Sequence, residues 1–191
     1  MMLLRLYLLA GLVAHKVVWE VLKRRDPMTP TTRDHGAALP LARALKVAKV
    51  VALLALVVQA LSPEVLPIVA RPHFLHVVGV ATYTVGLAVA VLGRVQLGSN
   101  WSDIEAPRTR RNHAVVSHGV YRYVRHPIYV GDLLLVLGFE LALNSWCVLV
   151  VLFLAAFVLR RALHEERMLA RALPAYDAYC AQTKRFVPFV I

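Results

Sequence analysis

The most constraining feature of this sequence is an apolar segment from Phe74 to Gly93, which contains no Asp, Glu, Lys or Arg in 20 consecutive residues. A helix of about 20 apolar residues spans the hydrocarbon core of a bilayer and satisfies its backbone polar groups internally. The segment therefore predicts a transmembrane helix. Gly79, Gly86 and Gly93 recur in it every seven residues, so they share one helix face and predict a neighbouring helix packed closely against it.

Other parts of the chain are also apolar enough to predict helices in a membrane. Residues 3–22 are the weakest candidate, because four ionisable side chains interrupt them. They fit either an uncleaved first membrane helix or a helix lying in the interface. A further block begins near Val47 and extends to Ala70. The charged residues 23–46 between these blocks contain three prolines and predict a loop.

Near the C-terminus two shorter apolar runs, residues 133–143 and 146–159, are separated by the polar pair Asn144-Ser145. Either run alone is short for a full span of the membrane. The pattern predicts a hairpin of two helices that enters the membrane and returns, or else a single long helix that is kinked at Asn144.

The distribution of positive charge decides between the hairpin and the kinked helix. Residues 23–46, 94–130 and 160–191 hold six Lys and Arg each, whereas residues 62–73 hold only Arg71. Basic loops remain on the cytoplasmic side of a membrane, and all three basic regions share a side only if the last two runs form a hairpin. We therefore predict an all-α, polytopic integral membrane protein with about five transmembrane helices, an outside N-terminus and short cytoplasmic helices at the C-terminus.

Composition argues against several other classes of protein. The chain of 191 residues has a net charge of +11 and is 59% hydrophobic, above the roughly 45–50% of a soluble domain. Its basic residues alternate with apolar blocks, so we expect contact with membrane lipids and no binding of nucleic acid. Cys147 and Cys180 predict no disulfide framework. No metal site is expected, because His113, His118 and His126 have no Cys or carboxylate beside them in their loop.

Side chains suited to chemistry are concentrated in two polar segments that adjoin apolar blocks. The first, His113 to Gly131, combines histidines, arginines and tyrosines with a Gly and a Pro, and the second runs from Arg161 to Glu166. Snorkelling at the interface and an aromatic belt would explain many of these residues. Glu165 and Glu166, however, follow the apolar run so closely that they are costly without a partner, which favours one functional site at the membrane face.

The two polar segments together resemble a known family. Gly119-Val-Tyr-Arg-Tyr-Val-Arg-His-Pro-Ile-Tyr-Val-Gly131 is followed by Glu165-Glu166-x-x-Leu169 and then by Tyr176-x-x-Tyr179. This order of motifs resembles the isoprenylcysteine carboxyl methyltransferase family, which is related to the membrane phospholipid methyltransferases. The resemblance covers residues 100–188. We accordingly divide one membrane-embedded domain into N-terminal membrane helices (1–99) and a catalytic methyltransferase region (100–191).

The resemblance implies that S-adenosyl-L-methionine binds at the cytoplasmic membrane face, with a lipophilic acceptor entering between helices. The residues that match cofactor-binding positions of the family are His113, Ala114, Val115, Val116, Tyr121, His126, Pro127, Ile128, Tyr129 and Glu165. Arg161 matches a position associated with the acceptor, and Arg161 and His126 are the candidate catalytic residues. The chain departs from the family at Leu173-Pro174, where Phe-Gly is usual, and in residues 101–111.

The identity of the acceptor stays open at this point. An isoprenylcysteine-type carboxylate on a lipidated substrate, a phospholipid amine, a long-chain phenol and a thiol all fit lipophilic helices. Two other functions are also open: a membrane reductase similar to the NADPH-dependent sterol reductases, and a non-enzymatic scaffold whose basic loops bind anionic lipid. Cofactor binding separates them, because the reductase would bind NADPH and the scaffold would bind no cofactor.

Overall fold

A computed structural model describes residues 1–25, 39–62, 65–100 and 115–188 of the chain. The regular elements in these ranges are helical, as the sequence predicts. The long helices are α1 (Met2–Arg25), α2 (Leu39–Leu61), α3 (His73–Leu97), α4 (Pro127–Ala142) and α5 (Val150–Ala172), and a shorter α6 (Tyr176–Gln182) follows them. Short 3-10 turns lie at Gly98–Asn100, Gly119–Arg122 and Trp146–Leu149.

The antiparallel contact between α3 and α4 is the most extensive between helices in the described part of the bundle. A Cβ added at Gly79 would overlap the backbone of α4 at Ala142, and one added at Gly86 would overlap it at Leu135. The two helices therefore meet backbone to backbone, which only small residues allow. The helix interface predicted from the glycine spacing on α3 is confirmed.

Tyr83 joins this helix pair to α1. Its backbone lies against Gly138 of α4, its fully buried ring lies against Gly11 of α1, and neither glycine has room for a Cβ. The Tyr83 hydroxyl donates a hydrogen bond of 2.6 Å to the carbonyl of Leu8. Residues 3–22 therefore lie in a helix that packs against α3.

The hairpin predicted for the C-terminal apolar runs is formed by α4 and α5. After α4 ends at Ala142, the chain reverses through Asn144, whose φ of 55° asparagine adopts more readily than most residues. The Asn144 side chain accepts a hydrogen bond from the N–H of Val69 and donates one to its carbonyl. At the other end of the bundle, Tyr129 at the start of α4 contacts Glu165 near the end of α5, so a single kinked helix is excluded.

Four of the described helices are long and apolar enough to cross a membrane. These spans are Met2–Arg25, Arg43–Leu61, His73–Leu97 and Trp146–Ala172. α4 has 16 residues, which at 1.5 Å per residue cover about 24 Å, less than the roughly 30 Å of a hydrocarbon core. The prediction of about five membrane helices therefore corresponds to four full-length helices and one short helix.

The loop predicted for residues 23–46 is shorter than expected. α1 continues to Arg25, and α2 already begins at Leu39. Pro40 does not prevent helix formation there, since the first turn of a helix tolerates proline, whose missing N–H would have no partner in any case. The basic residues Arg43 and Lys46 are consequently helical.

Gly86→Ala should destabilise the protein by about 1–3 kcal/mol, the usual cost of overpacking a core, because its methyl group would meet the backbone of α4 at Leu135. Ala88→Val, at an exposed position of the same helix, is the control and should change stability by less than about 0.5 kcal/mol. Denaturation in detergent, followed by circular dichroism, measures both. Equal stability of the two variants would argue against backbone contact between α3 and α4.

Candidate active site

A cavity of about 560 Å³ opens at the end of the bundle where the basic segments meet, within the range of about 300–1,000 Å³ typical of small-molecule sites. One wall, here called the motif wall, includes Val115, Val116, Tyr121, His126, Ile128, Tyr129 and Glu165. A second part of the lining, here called the α1–α2 wall, includes His15, Lys16, Trp19, Lys46, Lys49 and Leu53. Residues 1–99 and 100–191 thus both line the cavity, and the assignment of catalysis to the second region stays a prediction.

Tyr121 is positioned by a 3-10 turn that begins at Gly119. Gly119 has a φ of 61°, a left-handed conformation that favours glycine, and it packs against the side chain of Gln96 without room for a Cβ. The Tyr121 hydroxyl donates to the carbonyl of Gly93, 3.3 Å away. Burial, and after it the nearby Glu165 carboxylate, raises the pKa of Tyr121 well above its ordinary value, so the hydroxyl remains a hydrogen-bond donor.

His126 and Tyr129 lie where α4 begins. Pro127 is in the first turn of the helix, where proline is well tolerated, and His126 immediately precedes it. The rings of His126 and Tyr129 stack, with centroids 5.4 Å apart and an angle of 14° between their planes. The Tyr129 hydroxyl donates a hydrogen bond of 2.8 Å to Oε2 of Glu165. This bond joins the two polar segments of the sequence in one wall.

The neighbouring carboxylates of α5 have different surroundings. Glu165 lines the cavity, whereas Glu166 lies in a cluster of cationic side chains. Glu166 Oε1 is 2.9 Å from Nε of Arg125 and 3.1 Å from Nε2 of His126. Glu166 Oε2 is 2.8 Å from Nη2 of Arg185. Neighbours on a helix point about 100° apart, so Glu166 stabilises the fold while Glu165 is accessible to a ligand in the cavity.

The Glu166 cluster holds the C-terminal segment against the first polar segment. The backbone N–H of Arg125 donates to the carbonyl of Lys184 at 2.8 Å. The Tyr179 hydroxyl donates to the carbonyl of Tyr121 at 2.7 Å. Burial raises the pKa of Tyr179 to about 12, so this donor stays protonated at neutral pH. α6 and the residues after it therefore hold the motif wall in place, and Tyr176 and Tyr179 of α6 also line the cavity.

Seven of the ten residues predicted to bind the cofactor line the cavity together. Pro127 is fully buried and lies against Gly93 of α3, where it supports the wall without being part of it. His113 and Ala114 lie outside the described residues. The contacts of all ten residues with a cofactor stay a prediction.

The two residues predicted to be catalytic have different surroundings. His126 has a side-chain exposure of only 5%, and its Nε2 is engaged by Glu166. Arg161 lies one turn before Glu165 on α5, and its guanidinium interacts with the Tyr129 hydroxyl. The buried Nε of Arg161 has no hydrogen-bond partner in the described part of the chain. Arg161 is not among the described residues that line the cavity, whereas His126 is, and the catalytic roles of both residues stay predictions.

Sequence patterns predict no site residue in α1 or α2, yet both helices line the cavity. Nε2 of His15 lies 3.0 Å from Oδ1 of Asp132 on α4, and the His15 ring stacks on Trp19 with centroids 4.0 Å apart. A signal for this wall exists in the ionisable residues that interrupt the first apolar block, because such residues in membrane helices are generally functional. The same residues also lower the apolarity of the block, so the sequence presents them as evidence against a membrane helix and not as site residues.

The family model for phospholipid methyltransferases matches residues 74–175, just over half of the chain. The chain belongs to the phospholipid methyltransferase family. The matched residues contain α4, α5 and all of α3 except His73, together with Tyr121, Tyr129 and Glu165. The motif wall therefore lies in the part shared with the family, whereas α1 and α2 lie outside it.

Curated relatives of the chain carry more than one name. The protein-S-isoprenylcysteine O-methyltransferase of Schizosaccharomyces pombe is 32% identical over 99 residues, which are 50% of this chain and 42% of the relative. The cobalt-zinc-cadmium resistance protein CzcN of Cupriavidus metallidurans is 34% identical over 105 residues, which are 54% of this chain and 46% of the relative. The chain thus spans less than half the length of either relative.

A solved structure of the eukaryotic intramembrane Ras methyltransferase, isoprenylcysteine carboxyl methyltransferase, is similar to this chain. The TM-score is 0.55 at 27% identity, and the similarity covers 62% of this chain and 43% of that one. Together with the four apolar helices, this similarity confirms the prediction of an all-α, polytopic membrane protein. The resemblance to isoprenylcysteine carboxyl methyltransferases that the motifs indicate is also confirmed.

Glu166→Gln should lower the free energy of unfolding by about 3 kcal/mol, within the range for removing one partner of a buried ion pair. Side-chain exposures of 12% at Glu166 and 10% at Arg125 leave little water to replace the lost charge. Asp177→Asn, which changes an exposed carboxylate on α6, is the control. Denaturation in detergent measures both variants. A loss below about 0.5 kcal/mol for Glu166→Gln, as expected at an ordinary surface site, would contradict its structural role.

Proposed function

We propose that the protein is an S-adenosylmethionine-dependent methyltransferase that transfers a methyl group to a lipophilic acceptor at the membrane face. The observation that carries the proposal is the pair formed by Glu165 and Tyr129, a carboxylate and a phenol held 2.8 Å apart in the wall of a cavity. Family membership indicates the reaction class, because the matched residues 74–175 contain this pair and relatives of the chain are named as methyltransferases.

The chemistry of the motif wall fits S-adenosylmethionine. That molecule carries an ammonium group and ribose hydroxyls, which require hydrogen-bond acceptors, and a sulfonium, which is attracted to aromatic faces. Glu165 offers the carboxylate, and Tyr121 and Tyr129 offer aromatic rings, all within one cavity. His126 and residues 115–116 would hold the remainder of the molecule, as the family resemblance implies.

When bound, the cofactor would supply an electrophilic methyl group. The contribution of the chain is mainly position and exclusion of water. The hydrogen bond from Tyr129 fixes the Glu165 carboxylate, and the bonds of Tyr121 to Gly93 and from Tyr179 fix the turn beside it. Alignment of two reactants supplies roughly 7–11 kcal/mol of rate enhancement in favourable cases. Charge is lost when an anion attacks a sulfonium, so a dry cavity favours the reaction further.

We assign the acceptor to Arg161 and to the α1–α2 wall. Arg161 lies one turn before the cavity-lining Glu165 on α5, and a guanidinium can bind an oxygen-rich group through two N–H bonds. Lys16, Lys46 and Lys49 add positive charge to the cavity, and Leu53 adds apolar surface. This combination fits an amphiphile with a polar reactive end and an apolar tail. The isoprenylcysteine in the names of several relatives is such a molecule.

We assign the cavity end of the bundle to the cytoplasm. The last turn of α1 carries Lys23, Arg24 and Arg25, and lysines of α2 line the cavity at the same end. The connection at the opposite end, residues 62–73, contains one Arg and no Lys. Short loops rich in Lys and Arg stay on the cytoplasmic side.

Glu165→Gln should weaken the binding of S-adenosylmethionine about 10- to 100-fold, because one charge-assisted hydrogen bond contributes about 1.5–3 kcal/mol and 1.4 kcal/mol corresponds to tenfold. Calorimetric titration of the purified protein with the cofactor and with S-adenosylhomocysteine measures the loss. Asp177→Asn is the matched control for removal of a carboxylate. Glu166→Gln is unsuitable as a control, since it disrupts the cationic cluster. Unchanged affinity in Glu165→Gln would refute the assignment.

Single cysteines should reveal the orientation of the bundle in the membrane. The native cysteines are first removed by Cys147→Ser and Cys180→Ser. A single cysteine is then introduced at one of two exposed positions, Gln182 at the cavity end or Val65 at the opposite end. A membrane-impermeant maleimide should label Val65→Cys in intact cells and Gln182→Cys only after the membrane is opened. The reverse pattern would place the cavity outside the cell.

A further inference from the structure

α1 contributes one half of an ionisable pair to the cavity, from a part of the chain outside the family match. Nε2 of His15 lies 3.0 Å from Oδ1 of Asp132 on α4, and both residues line the cavity. Their side chains are 24% and 40% exposed, so a molecule bound in the cavity can reach them. Ionisable residues in membrane helices are costly and mark functional sites by default.

Two contacts hold the His15 imidazole in place. Its ring stacks on Trp19, one turn later on α1, with centroids 4.0 Å apart and an angle of 22° between the planes. With Nε2–H donated to Asp132, the lone pair is on Nδ1. A carboxylate placed in this way orients an imidazole and stabilises the imidazolium that forms when the ring accepts a proton.

Helix geometry places this pair in the same cavity as the proposed cofactor site. Asp132 follows Tyr129 by three residues on α4, so the two side chains share one face of the helix, and both line the cavity. Tyr129 in turn holds Glu165 by its hydrogen bond. A molecule in this cavity therefore has access both to the imidazole and to the proposed cofactor site.

The other described histidines at this end of the bundle do not offer an accessible base. His126 is nearly buried, contacts Glu166 at 3.1 Å and stacks on Tyr129. His118 and His164 are exposed and are not part of the cavity wall. Among the described residues, His15 is the imidazole positioned to receive a proton from a ligand in the cavity.

We infer that His15, oriented by Asp132, accepts a proton from the methyl acceptor during transfer. The acceptor is accordingly a lipophilic molecule whose attacking O–H or S–H group is protonated at neutral pH, as in a long-chain phenol or thiol. This inference rests on the proposed methyltransferase function and narrows its substrate class. A carboxylate, with an ordinary pKa of about 4, has no proton to give at neutral pH and would leave the pair without a role.

The charges around His15 suit the loss of a proton by the acceptor. Those that share the cavity with it are Lys16, Glu20 and Lys23 of α1, Lys46 and Lys49 of α2, Arg125 and His126 before α4, Asp132 of α4 and Glu165 of α5. The lysines create a positive potential that stabilises the oxygen or sulfur anion as it develops. Asp132 compensates the positive charge that appears on the imidazole.

The proposed step conserves atoms and electrons. The O–H or S–H bond of the acceptor breaks, and its proton passes to the free nitrogen of His15. The electron pair left on oxygen or sulfur forms the bond to the methyl carbon while the bond from that carbon to the sulfonium sulfur breaks. The sulfur departs as a neutral thioether, and the imidazolium later releases its proton to water.

The test uses the full chain in detergent with methyl-labelled S-adenosylmethionine and three acceptors of similar apolarity: a para-alkylphenol, an alkanethiol and S-farnesylcysteine with a blocked amine. We expect label on the phenol or the thiol. The rate should rise with pH through the interval of about 5–8 in which histidines change charge and then level off. Without a base in the protein, the rate on a phenol would instead continue to rise towards a pH of about 10, where phenols ionise.

His15→Gln should lower turnover of the phenol or thiol about 100-fold or more at neutral pH, since a positioned general base contributes about 10²–10⁴-fold. It should also abolish the plateau in the pH profile. Asp132→Asn should lower kcat with little change in KM, because it acts through His15 as a positioning residue. His73→Gln, at an exposed histidine of the opposite end, is the matched control and should not change the rate.

The outcomes separate this inference from the proposed function. In each variant, titration with S-adenosylhomocysteine reports cofactor binding independently of turnover, and it should stay within about twofold of the unaltered protein. Label on S-farnesylcysteine alone would overturn the inference and leave the proposed function intact. In that case the pH profile would be flat, and activity would be retained in His15→Gln and lost in Arg161→Lys. So would cofactor binding with no label on any of the three acceptors. Failure of the unaltered protein to bind the cofactor would overturn both.

Discussion

The backbone contact between α3 and α4 is the constraint on which the site depends. Glycines along α3 remove the side chains that would separate the helices, and the contact runs as far as Gly93 at the cavity end. There Pro127 and Ile128 lie against Gly93, and its carbonyl accepts the hydroxyl of Tyr121. The close approach that stabilises the bundle therefore also fixes the rotation of α4 about its axis. That rotation directs Tyr129 towards α5 and the cavity.

A second constraint is the cost of burying the charge of Glu166. A carboxylate removed from water loses several kcal/mol of solvation, and a single cationic partner rarely compensates fully for this loss. Glu166 is contacted by Arg125, His126 and Arg185, all within 3.1 Å, and charge-assisted hydrogen bonds of this kind are the stronger ones. Arg125 and His126 precede α4, whereas Arg185 follows α6. The ion pairs of one carboxylate therefore also hold the segment after α6 against the start of α4. The same ion pairs therefore also stabilise the residues beside the cavity.

The sequence was sufficient to predict features that follow from spacing and charge, but not those that depend on packing between distant helices. Glycine spacing indicates the interface of α3 with α4. The unequal numbers of Lys and Arg in the connections indicate the hairpin at Asn144, and with it that both polar segments lie at the same end of the bundle. The separate roles of Glu165 and Glu166 follow from the rotation of α5, which no local pattern specifies. The pairing of His15 with Asp132 joins residues 117 positions apart, and neither residue belongs to a recognisable motif.

One wall of the cavity lies within the part of the chain matched by the family model, and the other lies outside it. This difference bears on which methyl acceptor the protein selects. The motif wall lies within residues 74–175, the part matched by the family model, which is where we propose that the cofactor binds. The α1–α2 wall lies outside that match, and relatives of the chain carry names as different as isoprenylcysteine O-methyltransferase and cobalt-zinc-cadmium resistance protein. An acceptor that approaches from α1 and α2 meets residues the family does not specify. The proposed transfer step can therefore coexist with different acceptors, because the residues proposed to contact the acceptor, such as His15, lie outside the part matched by the family model.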